Sequence, residues 1–315
     1  MDTKPRILIA YDGSETADAA LDDLTHAGFP PDAEVQILSI AEWFSPAPAS
    51  SHEVVTQERV PESGCVAAKG ALHLAEEAGD RLRTNFPRWI VNASSSCGLA
   101  ASKIIESARD WKPDLIIVGS HGRTALGRLA LGSVSQLVLA AAPCSVRIAR
   151  GRVEESGYPV RIIIGLDGSP ASLGAVREVA ARQWPARTEI KVVVVEDPLF
   201  PEFLGNLIPP FAKIIAEDKD QERTRAEKIS TEPLALLSRT GVKVSCELRE
   251  GDPKKELPKV AEEWGADCIF LGSAGFNNRF ERLVLGSVSA AVAARARCSV
   301  EIVRSKPKNN SGGLL

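Results

Sequence analysis

Two short runs in the chain carry residue types and spacings suited to holding an anion. The first begins Gly119-Ser120-His121-Gly122 and closes at Gly132-Ser133-Val134-Ser135, after the apolar run Leu115-Ile116-Ile117-Val118. Glycines there let backbone amides approach a ligand without a Cβ in the way, and the small residues at 132 and 133 stand where a helix would begin. Unpaired amides at a helix N-terminus favour a phosphate or carboxylate. The second run, Gly272-Ser273-Ala274-Gly275 closing at Gly286-Ser287, repeats the arrangement. A further chemical group stands at the end of the first apolar run of each half, in Asp12-Gly13-Ser14 and Asp167-Gly168-Ser169. An Asp in that place can accept bonds from ribose hydroxyls or a base, while the glycine loop takes phosphates. For each feature alone, a helix-entry turn or a loop needing positive φ is a sufficient structural explanation. Their joint recurrence favours a ligand site.

The elements that must position these residues repeat as well. Asp12 matches Asp167, Trp111-Lys112-Pro113-Asp114 matches Trp264-Gly265-Ala266-Asp267, and Cys144-Ser145-Val146-Arg147 matches Cys298-Ser299-Val300-Glu301; by subtraction the offsets are 155, 153 and 154. So constant an offset indicates two copies of one domain, 1–150 and 158–304, rather than a solenoid of shorter repeats. Each is long enough to bury its own core. The linker 151–157 is polar, and the tail 305–315 has too little apolar content to order itself.

Within the first copy, the pattern predicts strands at 6–11, 34–40, 89–96, 114–119 and 144–149, with helices from Ser14 and at 63–86, 99–111 and 133–142. A Pro/Ser-rich loop runs to about 62. In the second copy the strands fall at 160–166, 188–195, 242–249, 267–272 and 298–303, and the helices at 170–183, 211–239, 253–264 and 287–296. Alternating strands and helices predict an α/β fold: two tandem doubly wound five-stranded parallel sheets with helices on both faces. In such sheets ligands bind beyond the carboxyl ends of the strands, where successive connections diverge. Asp12 and Gly119 would meet there.

Composition sets bounds on the partners. A net charge of −3 with 25% charged residues gives no general pull toward nucleic acid or membrane, and the apolar runs are strand-sized. The start, Met-Asp-Thr-Lys-Pro-Arg, lacks a signal-peptide apolar region, so the default location is the cytoplasm. Six cysteines show no C-x-x-C spacing and read mostly as buried thiols; four scattered histidines have no ligand spacing, so no metal site is expected. Neither G-x-x-x-x-G-K-[ST] nor a G-x-G-x-x-G after the first strand occurs, which excludes P-loop and dinucleotide-fold readings.

Gly119, two residues, Gly122, nine residues, Gly132 and Ser133, together with Asp12, resemble the pattern of ATP-binding universal stress proteins, in the adenine-nucleotide α-hydrolase-like superfamily. The S-G-G-x-D-S motif of that superfamily's pyrophosphatase branch is missing. The resemblance spans about residues 4–304 and implies a tandem two-domain member that binds ATP or another adenine nucleotide, with or without Mg. By position it implies that Asp12 contacts the nucleoside and that the backbone around Ala10, Tyr11 and Ile40 lines the adenine. Val118, Gly119 and Gly122 would flank ribose and phosphate, Gly132, Ser133, Val134 and Ser135 would hold the phosphates, and Arg123 would offset their charge. The corresponding second set is Asp167, Val195, Gly272, Gly275, Gly286, Ser287, Val288 and Ser289. There, ten residues instead of nine separate Gly275 from Gly286, so the second site is expected to be the weaker.

The implied role is regulatory, in a stress response: the nucleotide biases a partner-binding surface. Two alternatives stay open, a slow ATP hydrolase with His121 or a loop carboxylate as base, and a nucleotide-free assembly module. The resemblance further implies that the final strands pair within the chain as a pseudo-dimer, with a further homodimer as an option. Arg147 and Glu301, equivalent but opposite in charge, would be either an ion pair of that interface or two solvated residues.

Overall fold

The structure is a computed structural model. It describes residues 4–42, 66–121, 131–151, 159–196, 228–273 and 285–304. Backbone contacts divide the chain into two units, Met1–Glu154 and Glu155–Leu315.

In the first unit, β1 (Arg6–Ala10) leads to α1 (Glu15–Asp23) and a short 3-10 turn, then to β2 (Glu34–Ala41), α2 (Val66–Asn85) and β3 (Ile90–Cys97). There follow α3 (Ala100–Trp111), β4 (Leu115–Gly119), α4 (Ser133–Ala141) and β5 (Ser145–Ala149). All five strands are parallel, in the order β3-β2-β1-β4-β5. The central strands read as unbroken apolar runs because helices cover both faces, so successive side chains of β1 and β4 are buried whichever way they point.

The second unit repeats the plan with β6 (Arg161–Gly165), α5 (Pro170–Ala181), β7 (Glu189–Glu196), α6 (helical at 228–238) and β8 (Lys243–Glu250). It continues through α7 (Pro253–Trp264), β9 (Cys268–Gly272), α8 (Ser287–Arg295) and β10 (Ser299–Val303). Its parallel order, β8-β7-β6-β9-β10, is that of the first unit. Each unit has its own core, around Ile9, Ile37 and Ile117 in one and Ile164, Val192 and Phe270 in the other. The predicted doubly wound five-stranded sheet is thus present in both copies. The predicted loop to 62, the first part of the 211–239 helix and the 305–315 tail lie outside the described residues.

The recurring Trp-x-x-Asp turn has a structural role in both units. The Asp114 carboxylate accepts the Arg6 backbone N–H at 2.9 Å, and Asp267 accepts that of Arg161 at 2.7 Å. The two arginines each donate to the carbonyl of the matching tryptophan, at 3.1 and 2.9 Å, and lie over its ring. This pins the start of the first strand to the entry of the fourth. The helix before the pin ends in the left-handed conformation, at Lys112 (φ 53°) in one copy and Gly265 (φ 66°) in the other.

One of the two readings left open for Arg147 and Glu301 is excluded, and one expectation about the cysteines is corrected. Arg147 and Glu301 are not solvated: they are 1% and 0% exposed. The guanidinium of Arg147 binds Asp23 through two bonds of 2.6 and 3.1 Å, and Glu301 accepts from Arg182. A charge can enter a strand core when a helix end supplies its counter-charge. The cysteines are also more varied than buried thiols. Cys97 is disulfide-bonded, and of the thiols Cys144, Cys246, Cys268 and Cys298 just Cys268 is buried.

The left-handed Lys112 yields a prediction. Glycine has no Cβ clash in that region, so Lys112→Gly should stabilise the chain by about 1 kcal/mol despite the added freedom of its unfolded state. A raised urea midpoint with unchanged slope is the expected readout, and a lowered midpoint would contradict it.

Candidate functional site

At the carboxyl end of β1 the chain turns sharply. The Tyr11 N–H donates to the Leu38 carbonyl at 3.0 Å, Gly13 takes φ 71°, and Asp12 Oδ1 accepts the Ser14 N–H at 3.0 Å. Ser14 in turn caps α1 by accepting from the Ala17 amide at 3.2 Å. One Asp12 oxygen is therefore committed to the turn. The other has no hydrogen-bond partner among the described residues, and the half-buried carboxylate faces an open cavity.

The end of β4 is tied to the start of α4 by two bonds. The Ser135 hydroxyl donates to the Gly119 carbonyl at 2.7 Å, and the Gly132 N–H donates to the Ser120 carbonyl at 2.9 Å. Gly132 is the N-cap of α4 and has no side chain to cap with. As a result the amides of Ser133, Val134 and Ser135, and the Ser133 hydroxyl, have no partner among the described residues. In α1 and α5 a serine hydroxyl takes up part of this donor capacity. Here no described side chain takes it up, and donors so placed suit an anion.

These two ends open on one cavity of about 820 Å³, a size ordinary for small-molecule sites. Of the residues expected in the first copy, Ala10, Tyr11, Asp12 and Ile40 line it from β1 and β2, and Val118, Gly119, Gly132, Ser133, Val134 and Ser135 from β4 and α4. Gly122 and Arg123 lie outside the described residues. Unforeseen in the sequence is the wall formed by Ala67, Gly70, Ala71 and Leu74 of α2, with Ala100 and Ile104 of α3. The signal was present: 67, 70, 71 and 74 have the i, i+3, i+4, i+7 spacing of one helix face. His121 also faces the cavity.

Some side chains act differently from the simplest sequence reading. The Tyr11 phenol is buried in the core and donates to Asp18 at 2.6 Å. Burial first, then the Asp18 bond and charge, push its pKa up to about 12, although Arg81 opposes them. Gly119 is favoured by packing: a Cβ there would lie 3.1 Å from the Thr16 carbonyl oxygen and hydroxyl, a tight approach. At Gly272 the restriction is harder, with the Ala171 backbone carbon 2.4 Å away.

In the second copy the same scaffold recurs. Asp167 Oδ1 accepts the Ser169 N–H at 2.9 Å, the Ser289 hydroxyl donates to Gly272 at 2.7 Å, and the Gly286 N–H donates to Ser273 at 2.6 Å. The additional residue before Gly286 leaves this closure intact. Val195 stands near the carboxyl end of β7, and Ser287 and Val288 open α8, whereas Gly275 is outside the described residues. Asp167 is exposed, unlike the half-buried Asp12.

The family model described as "Universal stress protein family" matches residues 5–150 and again 160–304. The chain belongs to that family. The resemblance read from the glycine spacing is borne out, as are the two tandem universal stress protein domains. A universal stress protein of Methanocaldococcus jannaschii is 31% identical over 147 residues, covering 46% of this chain and 81% of the relative. One from Mycolicibacterium smegmatis is 31% identical over 195 residues, covering 60% of this chain and 61% of the relative. Among solved structures, a universal stress protein from Archaeoglobus fulgidus matches with a TM-score of 0.63 at 17% identity, over 96% of this chain and 97% of that one, a likeness of fold. No helix among the described residues is long and apolar enough to cross a membrane, and none of their His, Cys, Asp and Glu side chains form a metal-holding cluster of three or more.

The Tyr11 environment predicts a distinct titration. With its phenol held neutral up to about 12, against an ordinary value near 10, absorbance at 295 nm should show a late phase that Tyr11→Phe abolishes. The matching stabilisation is complete below about pH 10 and is lost as pH rises through about 12. A wild-type protein that completes its phenol titration near pH 10 would refute the buried hydrogen bond.

Proposed function

We propose that the first copy binds an adenine nucleotide in the cavity beyond β1 and β4, and that the nucleotide acts as a regulatory ligand of this universal stress protein. The observation that carries the reading is the convergence on one cavity of the Asp12 carboxylate and the uncapped start of α4. A nucleotide has a ribose hydroxyl pair for the first and phosphate oxygens for the second. The apolar wall from α2 and α3, with Ile40 and Val118, suits the flat faces of a base. Binding to the folded state at a hundred times Kd would stabilise it by about 2.7 kcal/mol, enough to bias a coupled surface. ATP and Mg belong to this reading because the amides grip any phosphate chain and the Asp12 carboxylate in the cavity lining would be available to an accompanying cation.

Ser133→Asp tests the site cleanly. A carboxylate in the first turn favours the helix by about 0.3–1 kcal/mol but repels phosphate. Calorimetry should show ATP affinity reduced at least tenfold without loss of thermal stability. The equivalent Ser287→Asp should change total binding little, because the second copy is proposed to bind weakly or not at all. Undiminished affinity in Ser133→Asp, or equal losses in both variants, would overturn the assignment.

The pseudo-dimer is likewise a proposal, supported by the family resemblance: the two copies pair through their final strands. Separately produced halves should then associate on mixing and co-elute in size-exclusion chromatography. Halves that stay apart at micromolar concentration would reject it.

A further inference from the structure

At the amino ends of their strands, away from the glycine loops, the two copies fill the same space differently. In the first copy Phe29 precedes β2, and four residues, Phe86-Pro87-Arg88-Trp89, join α2 to β3. The Phe86 and Trp89 rings stack with centroids 3.8 Å apart, and Phe29 meets Trp89 edge-on at 6.0 Å. The Trp89 ring N–H donates to the Pro30 carbonyl at 3.0 Å, which fixes that ring between the two connections. Three rings close this end of the unit, and Trp89 is buried.

The second copy keeps one ring of the three. Trp184 stands where Phe29 does, at the same offset of 155 that relates Asp167 to Asp12, but the four residues joining α6 to β8 are Arg239-Thr240-Gly241-Val242. Arg239 thus takes the place of Phe86, and Val242 that of Trp89. A cavity of about 390 Å³ opens here, with Ala180, Trp184, Leu236 and Val242 as its apolar lining. That volume is within the range of small-molecule sites. The surviving ring is held in place: its N–H donates to the Val179 carbonyl at 2.8 Å, and Phe270 meets it edge-on at 6.0 Å. Two guanidinium groups and no acidic residue share the lining. Arg182 is already bound to Glu178 and Glu301, whereas the exposed Arg239 side chain has no hydrogen-bond or ion-pair partner among the described residues.

We propose that the second copy holds a small planar aromatic carboxylate in this slot, its ring beside Trp184 in the space of the missing rings and its carboxylate on Arg239. The first copy shows what the space accepts, a flat ring packed on others within a connection of the same length. Aromatic faces and edges favour such a ring, and the planar fork of an arginine matches a carboxylate. The slot stands apart from the nucleotide reading, because it lies in the other copy and at the other end of the strands.

The probe is 2-naphthoate, titrated into the full chain by calorimetry, with the Trp184 indole N–H followed by NMR and assigned through Trp184→Phe. Saturable binding at one site per chain and a shifted Trp184 signal are expected. Arg239→Gln should weaken naphthoate about fivefold and leave the uncharged 2-naphthylmethanol unaffected. Val242→Trp, which returns a ring to the slot, should abolish binding of both, with thermal unfolding checking that the variant is folded. Ser133→Asp should change neither, since it alters the other cavity. No saturable binding at millimolar naphthoate, unchanged naphthoate affinity in Arg239→Gln or in folded Val242→Trp, an equal loss for both compounds in Arg239→Gln, or a loss in Ser133→Asp would each overturn the proposal. Should Val242→Trp fail to fold, the Trp184 signal and the contrast between the two compounds in Arg239→Gln still decide it.

Discussion

The carboxylate that accepts the first strand's amide is the constraint from which the site follows. Asp114 holds Arg6, 108 residues earlier in the chain, and so sets β4 directly against β1. From β1 the chain crosses to β2 on one side, and from β4 it crosses to β5 on the other. The two connections diverge, and the crevice they leave becomes the cavity. Without that adjacency, the Asp12 carboxylate and the start of α4 would not open on one cavity. The arginine adds to the pin by covering the Trp111 ring and bonding its carbonyl, so one residue joins strand, helix end and turn.

Buried charge supplies a second kind of constraint. Arg147 in β5 and Glu301 in β10 are each matched by an opposite charge from their own unit, Asp23 and Arg182. Such pairs add little net stability compared with an apolar substitute, because desolvation offsets much of the attraction. Their value lies in position: a buried charge tolerates one register, and both pairs tie a final strand to the end of the first helix. The rest of the final-strand pattern, Val146 and Ile148 or Val300 and Ile302, would pack comparably after a slip of two residues.

The sheet was legible in the sequence because its central strands are uniformly apolar and its helices punctuated, as at Ser14 and Gly265. The meeting of Asp12 with Gly119 followed from strand order. What stayed hidden depended on distance or direction. Trp111 and Asp114 could be seen to repeat, but their partner Arg6 lies more than 100 residues away. Arg147 has its partner Asp23 124 residues away, so from the sequence its charge was left either as half of an interface pair or as solvated. The α2 wall was missed because a stripe of small residues reveals a helix face and not what that face meets. Tyr11 shows the same limit at one residue: its backbone could be placed at the strand end, but the side chain's turn into the core could not.

The glycines that first drew the two copies together prove weaker evidence of function than their repetition implied. Gly272 cannot carry a Cβ against Ala171. The hydroxyl proton of Ser289 is consumed in holding the Gly272 carbonyl, as that of Ser135 is in holding Gly119. Gly168, with φ 79°, serves the turn that caps α5. Scaffold requirements therefore account for most of what the copies share, and a second set of these residues does not by itself require a second ligand. The features that closure and packing do not explain are the half-buried carboxylate of Asp12 and the buried Nε2 of His121, which has no hydrogen-bond partner among the described residues. Both occur in the first copy, where their counterparts in the second are an exposed aspartate and an alanine. A fold that needs the same glycines twice can therefore hold a ligand beside them once.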